Sequence, residues 1–303
     1  MARYRFYTAD VFTSLRFGGN PLAVLPDARG LDDQAMRTLA REFNYSETAF
    51  VFPPEDPAHT RRVRIFTPAS ELPFAGHPTV GTAYILAAIG EIPLAGDLTR
   101  IVLEEGVGPV PVAIRAQGGR PVFTQLSAAK MPEFGPPPPA PEEIAAVYGL
   151  NPQDLLGGDW GMEAVSCGVP FLFVPLRGRE ALARIRLDRQ RYDQVLAPYW
   201  AREAFLFCFE PERAGSDLRA RMFAPYMGIA EDPATGSAAT ALAGYLGRHA
   251  PSSLPTQRWV VEQGFEMGRP SILEVEMDQA GSQIQAVRVG GASVLVSEGF
   301  IEY

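Results

Sequence analysis

Two stretches of this chain read as copies of one element, and no other feature constrains the fold as much. The first runs from Arg64 through Phe66, Pro68 and Glu71 to Gly76, His77 and Thr79. The second runs from Arg221 through Phe223, Pro225, Glu231 and Asp232 to Gly236, Ser237 and Ala239. Each begins as a strand ending in Phe-x-Pro, passes an acidic residue, and reaches a glycine followed by a small or polar residue that opens a helix. The offset is 157 residues from Arg64 to Arg221 and 160 from Gly76 to Gly236, so the second copy carries a three-residue insertion. A helix N-terminus presents unpaired N–H groups and about half a positive charge. Two such termini, from two related half-chains, predict a cleft that grips an anionic small molecule from both sides.

The bulk properties narrow the class. At 303 residues the chain is long for one core and suits two domains of roughly 120–150 residues. A formal net charge of −8 argues against a nucleic-acid binder, which normally carries a basic face. The opening Met1-Ala-Arg-Tyr-Arg-Phe-Tyr7 alternates like a strand and lacks a signal peptide's apolar run, and no stretch approaches the roughly 20 apolar residues of a membrane span. Two cysteines, Cys167 and Cys208, in a chain this size read as reduced thiols of a cytoplasmic protein, not as a disulfide. His59, His77 and His249 show no metal-ligand spacing, so no metal is expected.

Along the chain, Tyr4–Phe12 reads as a strand leading to a turn at Phe17-Gly-Gly-Asn20-Pro21. Leu22–Leu25 resumes as a strand, and Met36, Leu39, Ala40 and Phe43 give helical spacing over Asp32–Phe43, with Asp32 or Asp33 as cap. Strands follow at Thr48–Phe52 and Arg62–Phe66, then a mostly apolar helix through Thr79–Ile89, ended by Gly90. The run Gly135-Pro-Pro-Pro-Pro-Ala-Pro141 favours stiff extended chain and reads as the interdomain connection. Pro141 then starts a helix over Glu142–Tyr148. The second half repeats the grammar, with strands, a helix over Ser237–Leu246, and further alternating strands. Single helices among many short strands in both halves indicate two α+β domains. A doubly wound nucleotide fold needs a Gly-x-Gly-x-x-Gly fingerprint, which is missing, and no cofactor is expected.

Several stretches are more specific than this grammar. Phe17-Gly-Gly-Asn-Pro-Leu-Ala-Val24, Asn44-Tyr-Ser-Glu47-Thr-Ala-Phe-Val51 and Glu71-Leu-Pro-Phe-Ala-Gly-His-Pro-Thr79 resemble the PhzF-like isomerases of phenazine biosynthesis. So do Glu231-Asp-Pro-Ala-Thr-Gly-Ser-Ala238 and the closing Val289-Gly-Gly-Ala292. The resemblance covers essentially the whole chain in order. It implies a fold similar to diaminopimelate epimerase: α+β, two pseudo-symmetric domains, each a curved mixed sheet around a central helix, with the active site in the interdomain cleft. The expected domains are 1–128 and 129–292, with the last strand, about 293–303, crossing back to the first. A homodimer is implied as well.

Glu47, taken by itself, reads most readily as a solvated carboxylate at a turn. A carboxylate at a strand's start facing a cleft can also serve as acid and base in turn, and the resemblance implies that role for Glu47. His77 alone is more often structural. Its place at an anion-facing helix start, and the resemblance, imply a polar partner to substrate. Asp232 and Ser237 hold the equivalent places in the second copy, where helix capping and substrate contact are compatible. Gly76 and Gly236 let a ligand approach the backbone closely. Asn20 either contacts substrate or simply forms its turn. Glu71 and Glu231 read as structural residues tying down the strand-to-helix loops, and Cys167 as a small buried residue. Related cofactor-independent racemases place one cysteine before each cleft helix; the matching positions here are Ala75 and Thr235, neither of which ionises usefully.

These readings converge on a cofactor-independent isomerase shifting a proton on a small carboxylate-bearing substrate, with a cyclohexadiene or aromatic precursor as the class. A single-base epimerase or lyase, and a non-catalytic binding member, are the rivals. No nucleic-acid or membrane partner is expected.

Overall fold

A computed structural model of the protein describes residues 2–281 and 283–303. The chain forms two compact units, one of residues up to Ala129 together with Val289–Tyr303, the other of Lys130–Arg288.

The first unit runs β1 (Arg3–Val11), β2 (Asn20–Leu25), α1 (Asp33–Phe43), β3 (Glu47–Phe52), β4 (Arg61–Phe66), β5 (Glu71–Leu72), α2 (Gly76–Ala88), β6 (Leu98–Glu105), β7 (Gly108–Gln117) and β8 (Arg120–Ser127). β2 runs antiparallel to β1 and parallel to β3, and β4 is antiparallel to β3 and β5 but parallel to β6. Apart from Tyr84 and Ala88, every residue of α2 is buried, because the helix packs on β1, β2, β3, β7 and β8. A helix apolar on all sides needs such enclosure. Gly81 sets how closely it lies: a Cβ there would meet Leu22 and Val11 methyls at 2.6 Å. The other face of β3 and β4 carries Phe50 and Phe66, which pack with Ala35, Met36, Leu39 and Ala40 of α1. Asp32 caps α1 by accepting from the Ala35 amide at 2.8 Å.

The second unit runs β9 (Glu133–Phe134), α3 (Pro141–Val147), β10 (Glu163–Ser166), β11 (Pro170–Pro175), α4 (Arg179–Arg184), α5 (Arg189–Val195), β12 (Glu203–Cys208), β13 (Leu218–Ala224), β14 (Ile229–Asp232), α6 (Gly236–His249), β15 (Thr256–Gln263), β16 (Ser271–Ala280) and β17 (Gln283–Gly291), whose last residues from Val289 belong to the first. Its pairing repeats that of the first. β11 is antiparallel to β10 and parallel to β12; β13 is antiparallel to β12 and β14 but parallel to β15. α6 takes the place of α2 and packs on β10, β11 and β16. The segment that carries the insertion opens with a 3-10 turn over Pro225–Met227, closed by Gly228 at φ +82°. β18 (Ser293–Glu302) belongs to the first unit, antiparallel to β1 along its whole length.

One expectation needs correction. The proline run is not the connection between units: it lies inside the second, where Gly135 donates to the Ala164 carbonyl and Tyr199 to that of Pro136. Four prolines lack N–H groups but still offer carbonyls, which suffices for packing against a neighbour. The short α4 and α5 carry no sequence expectation. Each buries only one or two side chains (Ala181 and Leu182, then Tyr192), too few to show a helical period.

Candidate active site

In the first unit the starts of three elements meet. Asn20 opens β2, Glu47 opens β3, and His77 is the second residue of α2. Parallel pairing sets Leu22 opposite Glu47, which holds the two strand starts side by side. All three side chains are buried, at 0%, 7% and 4% exposure. Ser46 donates from Oγ to Asn20 Oδ1 at 3.1 Å, and Asn20 Nδ2 stands 3.3 Å from His77 Nδ1. On the other side of the ring, His77 Nε2 lies 3.4 Å from Glu47 Oε2. With the Asn20 amide donating to Nδ1, the ring proton sits on Nε2, on the side of the ring where Glu47 Oε2 lies 3.4 Å away without forming a hydrogen bond.

Burial drives the His77 pKa down to about 3, against a smaller opposing pull from a hydrogen bond to the Pro21 backbone. The ring is therefore neutral at physiological pH, and its contact with Glu47 is between an imidazole and a carboxyl, not an ion pair. A neutral imidazole beside a buried carboxyl does not trap it as a permanent carboxylate. That is the environment an acid/base needs.

In the second unit the same position of the repeat is built differently. Thr235, the N-cap of α6, donates from its hydroxyl to Asp232 Oδ2 at 2.5 Å. Gln263, at the end of β15, donates from Nε2 to the Asp232 carbonyl at 2.8 Å and to Thr235 Oγ1 at 3.0 Å, and accepts from the Thr235 amide at 3.0 Å. Gly236 and a half-buried Ser237 follow as the first residues of the helix. Thr235 and Ala75 are the N-caps of the two helices. Neither side chain caps a first-turn amide. The helix-start N–H groups are thus left by their caps for another acceptor.

The Arg-x-Phe-x-Pro copies also have a visible purpose. Arg64 grips Glu71 with Nε and Nη2 at 2.7 and 2.6 Å, and Arg221 grips Glu231 the same way at 2.8 and 2.8 Å. Each fork fixes the loop leading into its helix. Both cysteines are free and buried, and burial pushes the Cys167 thiol up to about 12, far from a nucleophile's range. Among the described residues, no group of three or more His, Cys, Asp or Glu is placed to hold a metal, and no helix is long and apolar enough to cross a membrane. Sequence reasoning missed Gln263, whose neighbours carry no motif, and Ser46, which lies inside a quoted stretch but was given no role.

Fold and site together define an α+β protein of two units, each with a central helix, whose first unit holds a buried Asn20–His77–Glu47 cluster. The family profile described as "Phenazine biosynthesis-like protein" matches residues 9–299. The chain is 44% identical over 295 residues to an uncharacterized isomerase of Mesorhizobium japonicum, covering 96% of each chain. It is 36% identical over 299 residues, 98% of each, to the trans-2,3-dihydro-3-hydroxyanthranilate isomerase of Pseudomonas aeruginosa. A PhzF-family phenazine biosynthesis protein of Bacillus anthracis superposes with a TM-score of 0.90 at 25% identity over 100% of both chains. The protein belongs to the phenazine biosynthesis-like (PhzF) family and is an isomerase.

Proposed function

We propose that this isomerase moves a proton, and with it a double bond, on a small cyclic carboxylate of the dihydroaromatic class, with Glu47 as its acid/base. The observation that carries the reading is the ordered chain Ser46–Asn20–His77–Glu47, which ends on a buried carboxyl 3.4 Å from a neutral imidazole. Glu47 as carboxylate takes a proton from one ring carbon. The electron pair left behind shifts the double bond, and the Glu47 acid returns the proton to another carbon on the same face. Only one base is required, in keeping with Ala75 and Thr235 at the two N-caps. In the first unit the Gly76 and His77 amides hold the carboxylate, and in the second unit Gly236, Ser237 and Asp232 offer the corresponding helix head as binding groups.

The substrate of the Pseudomonas aeruginosa relative, trans-2,3-dihydro-3-hydroxyanthranilate, is the first compound to offer. Turnover in D₂O with deuterium incorporated at one carbon supports proton transfer by an exchangeable carboxyl. Binding without turnover or exchange points to a non-catalytic member. Inversion at a stereocentre with the double bond in place points to an epimerase. The same proposal takes the enzyme as a homodimer, to be checked by sedimentation equilibrium, and as cytoplasmic, in keeping with its two free thiols and checked by cell fractionation.

A further inference from the structure

Glu105 ends β6 and is buried, at 8% exposure. Its Oε1 lies 2.6 Å from the hydroxyl of Thr79, in the first turn of α2. The same hydroxyl lies 2.7 Å from the carbonyl oxygen of Ala75, the N-cap of that helix. A threonine hydroxyl has one proton, and a carbonyl has none to offer. If the hydroxyl donates to Ala75, the 2.6 Å contact needs a second proton, and only the Glu105 carboxyl can carry it. The helical bond from the Thr79 amide to the Ala75 carbonyl is long, at 3.3 Å, so that carbonyl leans on the hydroxyl.

We propose that Glu105 acts as a neutral carboxylic acid that positions the head of α2: Glu105 donates to Thr79, Thr79 donates to the Ala75 carbonyl, and the N-cap so fixed sets the Gly76 amide and the His77 ring. The inference rests on the reading of Glu47 and His77 as the acid/base centre. Burial raises Glu105 to about 8, outweighing the Thr79 hydrogen bond, so the acid form persists through neutral pH. The charged groups around it are already committed. Glu104, its neighbour on β6, accepts from the Glu55 and Asp56 amides and faces His59. On β4, Arg62 is bound to Glu55 and Arg64 to Glu71 and Asp33. From α2 the titratable groups are His77 and Tyr84, and the ring of Pro73, in the loop before α2, packs on Gly106. A cavity of about 480 Å³ lined by Arg62, Arg64, Glu71, Glu104 and Glu105 gives the carboxyl a route for exchanging its proton.

Loss of that proton has two consequences. The Thr79 hydroxyl turns to the carboxylate, leaving Ala75 with its long helical bond alone. A fixed anion also appears beside the N-terminus that is to bind the substrate's carboxylate, and the two compete for one field.

The test needs no substrate. Protein labelled with ¹⁵N and with ¹³C at the Glu carboxyls is titrated from pH 6 to 9.5 by NMR. In the wild type, the Glu105 carboxyl is expected to titrate above pH 7, and the Gly76 and His77 amide signals to move with the same midpoint. Glu105→Gln, whose amide can still donate to Thr79, is expected to hold those amides at their low-pH positions throughout; Glu105→Ala is expected to shift them at every pH. A Glu105 carboxyl already ionised at pH 6 overturns the proposal on the wild type alone. So does the same course of the Gly76 and His77 signals in Glu105→Gln as in the wild type. Because no turnover is read, these outcomes are separate from any failure of the proton-transfer reading.

Discussion

Glu47 and Glu203 occupy one position in the two copies of the repeat. Each is the first residue of a strand that runs parallel to the preceding one, Leu22 facing Glu47 and Phe171 facing Glu203, and antiparallel to the strand that leads toward the central helix. Their surroundings differ completely. Glu47 meets a neutral histidine at a helix head. Glu203, 2% exposed, sits beside the buried Tyr148 and Tyr192 hydroxyls, with a backbone hydrogen bond from Met227. Burial drives Glu203 up to about 8, where it is a neutral acid at physiological pH. A duplicated frame thus supplies two carboxyls of matching backbone address. The proposed chemistry falls to the one that stands beside a histidine at a helix terminus, and address alone is not a catalytic residue.

The largest expected effect tests that contrast directly. Glu47→Gln keeps size and hydrogen bonding but cannot accept and return a proton, so turnover should fall by roughly 10²–10⁴ while ligand affinity stays near normal. Glu203→Gln should keep near wild-type turnover. Comparable losses in both variants, read from steady-state rates on one substrate, would erase the distinction. The next effect concerns the two arginine forks. Arg221 is 8% exposed, its partner Glu231 17%, and it also donates to the Leu182 carbonyl at 3.0 Å. Arg64 and Glu71 are 22% and 35% exposed. Removing one partner of a buried pair leaves the other charge stranded, whereas a solvated pair contributes little. Arg221→Ala should therefore cost about 3–5 kcal/mol of unfolding free energy and Arg64→Ala about 1 kcal/mol or less, by chemical denaturation. Equal costs would show that the forks are not graded by burial.

What could be read from the chain beforehand was local. The strand-Pro-acid-Gly copies, the Asp32 cap and the left-handed turn at Gly19 (φ +60°) depend on residues adjacent in sequence, and each is legible. Asn20, Glu47 and His77 fall in distinctive stretches, but only the β2–β3 pairing and the course of α2 bring them together. Glu105 was out of reach. Glu104-Glu105 looks like a solvated acidic pair, and nothing local says that β6 carries the second of them beneath Thr79. The kinship of Glu203 with Glu47 was hidden as well, because Trp200-Ala-Arg-Glu203 shares only its final residue with Asn44-Tyr-Ser-Glu47. The repeat is conserved in backbone pairing there, not in side chains.

A further effect comes from the titrating groups themselves. His77, at about 3 in the fold against an ordinary 6.5, stays neutral where the unfolded chain would protonate it, so its contribution is whole above pH 6.5 and lost as pH falls toward 3. Glu105 and Glu203, at about 8 against 4.5, hold protons that the unfolded chain releases. Their contribution is whole below pH 4.5 and lost as pH rises toward 8. Glu203→Gln, which does not titrate, should gain on the wild type across that window, by at most about 1.4 kcal/mol per pH unit. Denaturation at pH 5 and pH 8 reads the difference; a gap that does not widen with pH would mean that Glu203 is ionised in the fold.

The smallest expected effect is none at all, and it bears on how the two helix heads divide their work. A two-base racemase needs an ionisable thiol at each N-cap, and here those caps are Ala75 and Thr235. The Thr235 hydroxyl is already committed to Asp232 at 2.5 Å and accepts from Gln263, so it orients a carboxyl and is no base itself. The two cysteines are elsewhere, both buried: Cys167 between β10 and β11, and Cys208 at the end of β12, where desolvation also raises its pKa. A small alkylating reagent at neutral pH meets neither as a thiolate. Turnover after iodoacetamide treatment should match the untreated enzyme, with mass spectrometry showing little modification of the folded protein. Rapid inactivation that substrate prevents would place a reactive thiol at the site and remove Glu47 as the single base. Slow inactivation that tracks unfolding, without substrate protection, would leave Glu47 as the single base.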